Sequence, residues 1–199
     1  MRDKCILPFL ITERLEFFQL TQADLPELEI LLGDTEIMYA WEHGFTKIES
    51  QAWLNENLRR YSSDGYSYWA VRKKNDGSLI GVMGILKEVA EGKQYIGIGY
   101  ILNKKYWGQG YAGEGTEALC QYAFRKLQLQ TLTAQVRTNN FASQHIAEGL
   151  GMKAMCNFVK IYRGQEMPHF LYTLDRDKWL KTASNGTVIM LELEACLLY

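Results

Sequence analysis

The hydrophobic positions of the chain recur first with the period of a strand and then with that of a helix. Leu10–Gln19 has the pattern of a first strand. Behind it, Thr21-Gln-Ala-Asp24 resembles a helix-capping signal, and Leu25, Leu28 and Leu32 follow at helical spacing. The opening of the chain therefore predicts a strand and an amphipathic helix.

The next segment predicts a second helix and an antiparallel meander. Thr46 and Glu49 have the spacing of a capping box, which predicts a helix from about Lys47 to Tyr61. Asn75-Asp76-Gly77 is typical of a hairpin turn. The strands predicted around and after this turn are Tyr66–Val71, Ser78–Leu86 and Tyr95–Leu102.

A strand–helix–strand crossover follows the meander. The later predicted elements are a helix at Ala112–Leu127, a strand at Leu132–Arg137, a short helix at Ala142–Leu150, and a hairpin of Lys153–Tyr162 with Phe170–Leu174. This order indicates an α+β (mixed α/β) fold, with a central mixed, mostly antiparallel sheet and helices on both faces. The two strands that flank the crossover run parallel, and a splayed parallel pair opens a ligand cleft at the strand ends.

The end of the chain fits this scheme least well. We predict one domain over residues 10–174 and a C-terminal extension over residues 175–199. Asp175–Lys181 is long enough for one or two helical turns, and Ala183-Ser-Asn-Gly186 breaks them. The strongly apolar Val188–Tyr199 has three interpretations that stay open: it packs on the domain, joins a second subunit in a homodimer, or is a non-native extension.

Composition narrows the class of protein. The 199 residues suit one domain, and 47% hydrophobic with 23% charged residues is near the average for a soluble globular protein. The net charge of −1 comes without a basic run, which argues against nucleic-acid binding. No apolar stretch has the length of a membrane span or the features of a signal peptide. The four cysteines and three histidines are scattered, so we expect reduced thiols, a cytoplasmic protein and no metal site.

The most informative segment is the glycine-rich stretch Asn103–Glu114, between a predicted strand and a predicted helix. Gly108, Gly110 and Gly113 allow a tight turn and a close approach of a ligand to the backbone. The first turn of a helix has unpaired N–H groups and a positive dipole end, which suit a pyrophosphate. A glycine-rich loop without a ligand is the competing interpretation, and the pattern matches neither a P-loop nor a Rossmann fingerprint.

Three motifs in register resemble the GNAT superfamily of N-acetyltransferases, in the branch that contains the ribosomal-protein N-terminal acetyltransferases. The resemblance covers roughly Leu10 to Leu174. Its motifs are the acyl-CoA loop, here Ile98-Gly-Tyr-Ile-Leu102 with Tyr106-Trp-Gly-Gln-Gly-Tyr-Ala112 and Glu114; the pair Asn140-Phe-Ala-Ser143 and Glu148-Gly-Leu-Gly-Met152; and the opening Thr12-Glu-Arg-Leu15.

The resemblance implies an acetyltransferase that uses acetyl-CoA as its acyl donor. Ile101 and Leu102 would pair with the pantetheine like an added strand. Asn140 and Ser143 would contact the thioester end of the cofactor and are the catalytic candidates, although both residue types also favour a helix start. The amides that would hold the pyrophosphate are those of Gln109, Gly110, Ala112, Gly113 and Glu114.

Two departures from the family pattern bear on the acceptor. A tyrosine that protonates the leaving thiolate in many relatives is Ala147 here, and a glutamate that serves as general base is Gly97. A general base contributes about 10²–10⁴-fold to a rate, so a site without one suits an amine of low pKa. We therefore predict that the acceptor is a protein N-terminus or a small low-pKa amine.

The acceptor is expected near Glu36–Phe45, which we call the acceptor segment. Tyr39 and Trp41 would wall a pocket there, and Glu42 or His43 would supply a polar group and could replace the missing base. An equally weighted alternative is that these aromatic residues only cover the edge of the sheet.

Three functions remain open at this point. The first is an active N-acetyltransferase in which the amine attacks the thioester directly in a ternary complex. The second is a non-catalytic acyl-CoA-binding sensor or scaffold, and the third is a structural module that associates through its apolar tail.

Overall fold

The computed structural model describes residues 7–182 and 188–190, which form one mixed sheet covered by helices on both faces. The strands are β1 Leu10–Ile11, β2 Leu15–Gln19, β3 Tyr68–Lys73, β4 Leu79–Ala90, β5 Lys93–Leu102, β6 Thr131–Arg137, β7 Lys153–Tyr162, β8 Gln165–Asp175 and β9 Ile189–Met190. The α-helices are α1 Leu25–Gly33, α2 Lys47–Asp64, α3 Tyr111–Gln121, α4 Phe141–Gly149 and α5 Arg176–Thr182. Single 3₁₀ turns lie at Gln22–Asp24, Tyr39–Trp41 and Lys104–Tyr106.

The strand order β7-β8-β6-β5-β4-β3-β2-β1-β9 confirms the predicted mixed, mostly antiparallel sheet. Only β5 and β6 run parallel among the described strands, and they share a single paired position, Gly97 with Thr133. Beyond that position, the two strands separate toward their C-terminal ends. The predicted splayed pair is therefore present, and it opens a gap in the middle of the sheet.

Helices α1 and α2 cover one face of the sheet, and α3, α4 and α5 cover the other. Leu28, Leu32 and Leu54 pack with Ile101 of β5 in the first layer. The second layer is larger and contains Leu119 and other residues of α3. Because side chains alternate between faces along a strand, neighbouring residues of β5 reach different layers.

The helix starts follow the capping signals. Thr46 Oγ1 accepts a hydrogen bond from the N–H of Glu49, whose carboxylate bonds back to Thr46, so the predicted capping box is present. Thr21 and Asp24 form a second box, but it opens a short 3₁₀ turn before α1. The long helix predicted at Ala112–Leu127 is a regular α-helix only to Gln121 and continues as a π-helical turn, Tyr122–Lys126.

The prediction of one strand over Leu10–Gln19 is wrong. A turn separates β1 from β2 because the Thr12 N–H donates to the Leu15 carbonyl at 2.9 Å, closing a hairpin. Hydrophobic periodicity alone does not reveal such a turn when hydrophobic residues lie on both sides of it.

Part of the C-terminal segment belongs to the same core. Trp179 of α5 packs on Phe124 with ring centroids 5.4 Å apart, and β9 pairs with β1. Residues 183–187 and 191–199 lie outside the described residues, as do Cys5 and Cys196. In the ranges that are described, no helix is both long and apolar enough to cross a membrane.

Candidate active site

The glycine-rich turn between β5 and α3 presents a row of backbone amides. Gly110 directly precedes α3 with a φ of 80°, a left-handed conformation that favours glycine. The N–H groups of Tyr111, Ala112 and Gly113 lie in the first helical turn, where no intrahelical acceptor exists. A Cβ at Gly113 would meet no described atom within 4 Å. This open, positively polarised helix end fits an anion such as a pyrophosphate.

A polar clamp joins this loop to the turn between β1 and β2. Glu114 Oε1 accepts hydrogen bonds from the Thr12 hydroxyl at 2.5 Å and from the Arg14 N–H at 2.9 Å. The Arg14 guanidinium bonds the other Glu114 oxygen at 2.6 Å and donates to the Gln109 carbonyl at 3.0 Å. It also lies 4.3 Å from the centroid of the Tyr111 ring. The opening motif thus has a structural role, which its position early in the sequence did not indicate.

The backbone N–H of Glu114, which was expected to bind the pyrophosphate, already has a partner within the protein. Its N–H donates to the Gly110 carbonyl at 3.1 Å, and its carboxylate belongs to the clamp. Although burial alone would raise its pKa, the hydrogen bonds from Thr12 and Arg14 hold the pKa of Glu114 below its ordinary value. We therefore correct the expected amide contact: Glu114 holds the loop, and the amides before it remain open.

The free edge of β5 corrects the expectation for Ile101. The Asn103 N–H donates to the Ile80 carbonyl, so alternate residues of β5, including Ile101, direct their backbone groups to β4. The backbone groups of Tyr100 and Leu102 face the gap instead. The Leu102 carbonyl already accepts from Trp107 Nε1 at 2.8 Å. The edge available to a pantetheine is therefore Tyr100 and the Leu102 N–H, while Ile101 is occupied.

Asn140 and Ser143 lie at the start of α4, on the opposite side of the gap. Asn140 Oδ1 caps the helix by accepting from the Ser143 N–H at 3.0 Å, and it also accepts from the Tyr39 hydroxyl at 2.7 Å. The Tyr100 hydroxyl donates to Ser143 Oγ at 3.0 Å. Burial raises the pKa of Tyr100 to about 12, so it stays protonated at neutral pH. The Tyr100 hydroxyl therefore connects β5 to the α4 N-terminus, and the Asn140 N–H, which donates to the Arg137 carbonyl at 3.0 Å, connects β6 to it.

The acceptor segment packs against the start of α4. Its C-terminal end is attached to α1 by the Phe45 N–H, which donates to the Leu32 carbonyl at 2.7 Å. Tyr39 bonds Asn140, and Glu42 forms an ion pair with Arg137 at the end of β6, 2.7 Å apart. The segment is thus attached to both sides of the α4 entrance.

The four predicted acceptor residues have different surroundings. Trp41 lines the cavity described below, and Tyr39 lies at the α4 entrance beside Trp107, with ring centroids 6.2 Å apart. Glu42 is paired with Arg137. His43 points to α2, with Nε2 3.4 Å from Glu49 Oε1. Neither polar candidate, Glu42 nor His43, is among the residues that line the cavity.

A cavity of about 240 Å³ occupies the gap between β5 and β6. Its walls include Thr116 and Ser143 from the α3–α4 face and Trp41 and Tyr68 from the α1–α2 face. The cavity therefore passes through the sheet, so that a donor and an acceptor can meet from opposite faces.

A carboxylate occupies the place of the glutamate that Gly97 lacks. A Cβ built on Gly97 would overlap Oε2 of Glu88, which reaches over from the neighbouring strand β4. In the same way, the Tyr68 hydroxyl of β3 lies 2.6 Å from the position of a Cβ on Gly99. The two glycines of β5 thus make room for polar side chains from β4 and β3, and a carboxylate is present there although residue 97 is not a glutamate.

The polar groups of the cavity wall are poorly satisfied within the described part of the chain. Glu88 Oε2 and both amide atoms of Gln135 are closed to solvent and have no hydrogen-bond partner there. Burial raises the pKa of Glu88 and lowers that of Lys160, another wall residue, and each charge partly offsets this effect on the other. Buried polar atoms without partners mark a place where a polar ligand gains hydrogen bonds.

His169 of β8 also lies in the cavity wall. His169 is buried with Nδ1 2.7 Å from the Met167 carbonyl, and burial lowers its pKa. Among the residues described, no cluster of three or more His, Cys, Asp or Glu side chains could hold a metal ion.

The comparison with protein families agrees with this geometry. The family of the acetyltransferase (GNAT) domain matches residues 14–153, which is well over half of the chain. The chain therefore belongs to the GNAT acetyltransferases, and the family prediction is confirmed.

Similar proteins extend over most of the chain. YkkB, an uncharacterized protein of Bacillus subtilis, is 30% identical over 82% of this chain and 93% of its own length. A GNAT-family acetyltransferase from Bacillus anthracis superposes with a TM-score of 0.73 at 23% identity, over 85% of this chain and 99% of that one. RimL, a ribosomal L7/L12 alpha-N-protein acetyltransferase in complex with coenzyme A, gives a TM-score of 0.70 at 18% identity, over 86% and 98% of the two chains. The two solved structures share the fold of this chain.

Proposed function

We propose that this protein is an N-acetyltransferase that moves the acetyl group of acetyl-CoA to an amine by direct attack in a ternary complex. The observation that carries the proposal is the cavity in the gap between β5 and β6, whose wall includes Thr116 of α3, the helix with the open N-terminus, and the carboxylate of Glu88. Membership of the GNAT family and the coenzyme A bound to RimL support acetyl-CoA as the donor.

The residues that would hold the donor are fewer than the motif alone suggested. The amides of Tyr111, Ala112 and Gly113 would bind the pyrophosphate, together with the glycine turn before them. The free backbone groups of Tyr100 and Leu102 would pair with the pantetheine. A bound acetyl-CoA supplies an acetyl group on a good thiolate leaving group.

At the reacting end, Ser143 and Asn140 would act as polar contacts. The Ser143 hydroxyl accepts from Tyr100 and has its own proton left to donate. The Asn140 carbonyl oxygen is used by Tyr39 and by the Ser143 amide, which leaves the Asn140 amide nitrogen for a ligand. A thiol with a pKa near 8.5 needs little help to leave, so the absence of a tyrosine at Ala147 does not prevent transfer.

The argument for an acceptor of low pKa no longer holds. It depended on the absence of a base at Gly97, and a carboxylate lies at that place. A protein N-terminus and a small amine both remain candidates for the acceptor.

The proposal is tested by binding and by thiol release. Acetyl-CoA should raise the melting temperature by mass action, and a panel of alkylamines, amino acids and N-terminal peptides should reveal acceptors that release free CoA above the rate without amine. Binding without release for any acceptor would favour the non-catalytic acyl-CoA sensor. No binding at all would contradict both.

A further inference from the structure

The wall of the cavity contains a carboxylate with one oxygen that has no hydrogen-bond partner among the described residues. Glu88 Oε2 is closed to solvent and receives no hydrogen bond from any described residue. It lies directly over Gly97, the position that faces Thr133 where the parallel strands part. Leaving a buried carboxylate oxygen without a hydrogen bond is costly, and the charge of Lys160 opposes only part of the effect of burial, so a ligand that donates a hydrogen bond to this oxygen would be stabilised here.

We propose that Glu88 binds the ammonium group of the acceptor and accepts its proton before transfer. The inference rests on the proposed function and names its acceptor class: an amine that arrives protonated. Trp41, Tyr68 and Tyr162 line the same cavity, and aromatic faces favour a cation beside a carboxylate.

The protons balance in this scheme. The ammonium gives one proton to Glu88, which passes it to solvent after turnover. The neutral amine nitrogen forms the bond to the acetyl carbon as the carbon–sulfur bond breaks, and the leaving thiolate takes the second proton that the nitrogen loses. The products are the amide, the free thiol and one proton.

The surroundings of Glu88 set the pH range in which it can act. Burial raises its pKa, while Lys160 of β7 and Arg60 of α2 oppose that rise. The Tyr68 hydroxyl of β3 shares its space, and burial followed by the charge of Glu88 raises the pKa of Tyr68. From β6 and β8, Arg137 and His169 also line the cavity. A carboxylate with a raised pKa is a stronger base than an ordinary one, which suits proton removal from an amine.

The first experiment compares Glu88→Gln with the parent, using the most active amine of the panel. We expect kcat/KM to fall by about 10²–10⁴-fold, because a general base contributes that much, while the affinity for acetyl-CoA stays unchanged. The parent should lose activity on acidification as Glu88 is protonated, and this acidic limb should be missing in Glu88→Gln. Glu166→Gln, which changes an exposed glutamate of β8, is the matched control and should behave like the parent.

A second experiment moves the carboxylate from one strand to the other. Gly97→Ala should lower turnover, because its Cβ takes the place of the Glu88 carboxylate. The double variant with Glu88→Ala and Gly97→Glu removes that conflict. Its turnover should be at least about tenfold higher than that of Glu88→Ala alone. A merely structural role of Glu88 would not be rescued by a carboxylate on β5.

A third measurement needs no acceptor. A glutamate whose folded pKa is raised lowers the stability of the fold as pH rises through its ordinary value, and the full penalty is present above the folded pKa. Glu88→Gln should therefore match the parent in melting temperature near pH 4 and exceed it near pH 8.

The outcomes separate this inference from the proposed function. If no amine causes thiol release but the stability difference is present, the transferase activity is contradicted. The stability difference then still supports a buried carboxylate at Glu88. Parental activity and an unchanged acidic limb in Glu88→Gln would overturn the inference while the transferase stands. An acidic limb that persists there and vanishes in Lys160→Met would assign the base to Lys160 instead.

Discussion

The two sides of the cavity are built in opposite ways. The donor side, at the start of α3 and along the edge of β5, consists mainly of backbone N–H and carbonyl groups. The acceptor side consists of side chains from separate elements, namely Trp41, Tyr68, Glu88, Gln135 and Lys160. A backbone site needs adjacent glycines and a helix start, whereas a side-chain site needs only that the fold bring distant residues together.

The difference teaches how far a motif can be trusted. On the donor side, the glycine motif coincides with the start of α3, although the surroundings of Ile101 and Glu114 became clear only from the structure. On the acceptor side, a missing residue in a motif does not mean a missing group in space, as Glu88 over Gly97 demonstrates. The predictions below act on one side at a time.

Of the variants that leave Glu88 in place, Gly113→Asp on the donor side is expected to have the largest effect. A carboxylate in the first turn of α3 would repel a pyrophosphate, so the affinity for acetyl-CoA should fall at least about tenfold, or about 1.4 kcal/mol. The protein without ligand should be no less stable, because replacing a helical glycine gains about 0.5–1 kcal/mol and the N-terminal charge is favourable.

Gly113→Asn is the control, since it has the same shape without the charge. Titration calorimetry of both variants with acetyl-CoA measures the difference. Equal affinities would show that the pyrophosphate does not lie at this helix end. Gly113 is a better test position than Gly110, whose φ of 80° would strain any other residue.

Much of the donor side followed from the sequence, and little of the acceptor side did. The glycine turn and the Thr46–Glu49 capping box were predicted from local patterns, and the splayed parallel pair was predicted from the order of the elements. The predicted strand Ser78–Leu86 stopped two residues before Glu88. Glu91-Gly92, with φ values of 49° and 72°, forms the hairpin turn that carries β4 to Ala90.

Recognising that two-residue turn would have placed Glu88 opposite Tyr95 and diagonal to Gly97. The clamp of Arg14 on Glu114 was out of reach for another reason: it joins residues 100 positions apart in sequence. Local propensity carries no information about such a contact.

Ser143→Ala tests the point where the two sides meet. The loss of one neutral hydrogen bond of about 0.5–1.5 kcal/mol at the reacting end should lower kcat roughly two- to tenfold, with little change in acetyl-CoA affinity. The helix cap survives, because Asn140 bonds the Ser143 N–H and not its hydroxyl. Tyr100→Phe keeps the Ser143 hydroxyl and should cost less. Full activity of Ser143→Ala in steady-state assays would show that the Ser143 hydroxyl has no role in turnover.

Glu114→Gln should loosen the donor loop in a pH-dependent way. Since the pKa of Glu114 is lowered in the fold, the clamp stabilises the protein at neutral pH, and this contribution is lost as pH falls below about 4.5. At pH 7 we expect a loss of about 1 kcal/mol, discounted for the half-exposed Arg14, and a few-fold weaker acetyl-CoA binding. Urea unfolding at pH 7 and pH 3 measures both limits. A stability difference that is equal at the two pH values would contradict the role of the ionised carboxylate.

The smallest effect is expected on the acceptor side, from Glu42→Gln and His43→Ala. The Glu42 carboxylate is half-exposed and bound by Arg137 at 2.7 Å, and an ion pair of this kind is worth about 0.2–1 kcal/mol. Its loss should raise the KM of the amine up to about fivefold by freeing one attachment of the acceptor segment. His43 lies behind the cavity wall, beside Phe45, Glu49 and the wall residue Tyr162, and does not line the cavity itself, so its removal should change the KM less. Neither variant should alter the acidic limb of the pH–rate profile, because the carboxylate that faces the gap is Glu88. If that limb disappears in Glu42→Gln or His43→Ala and stays in Glu88→Gln, the base comes from the acceptor segment, and the polar groups of the cavity wall need another explanation.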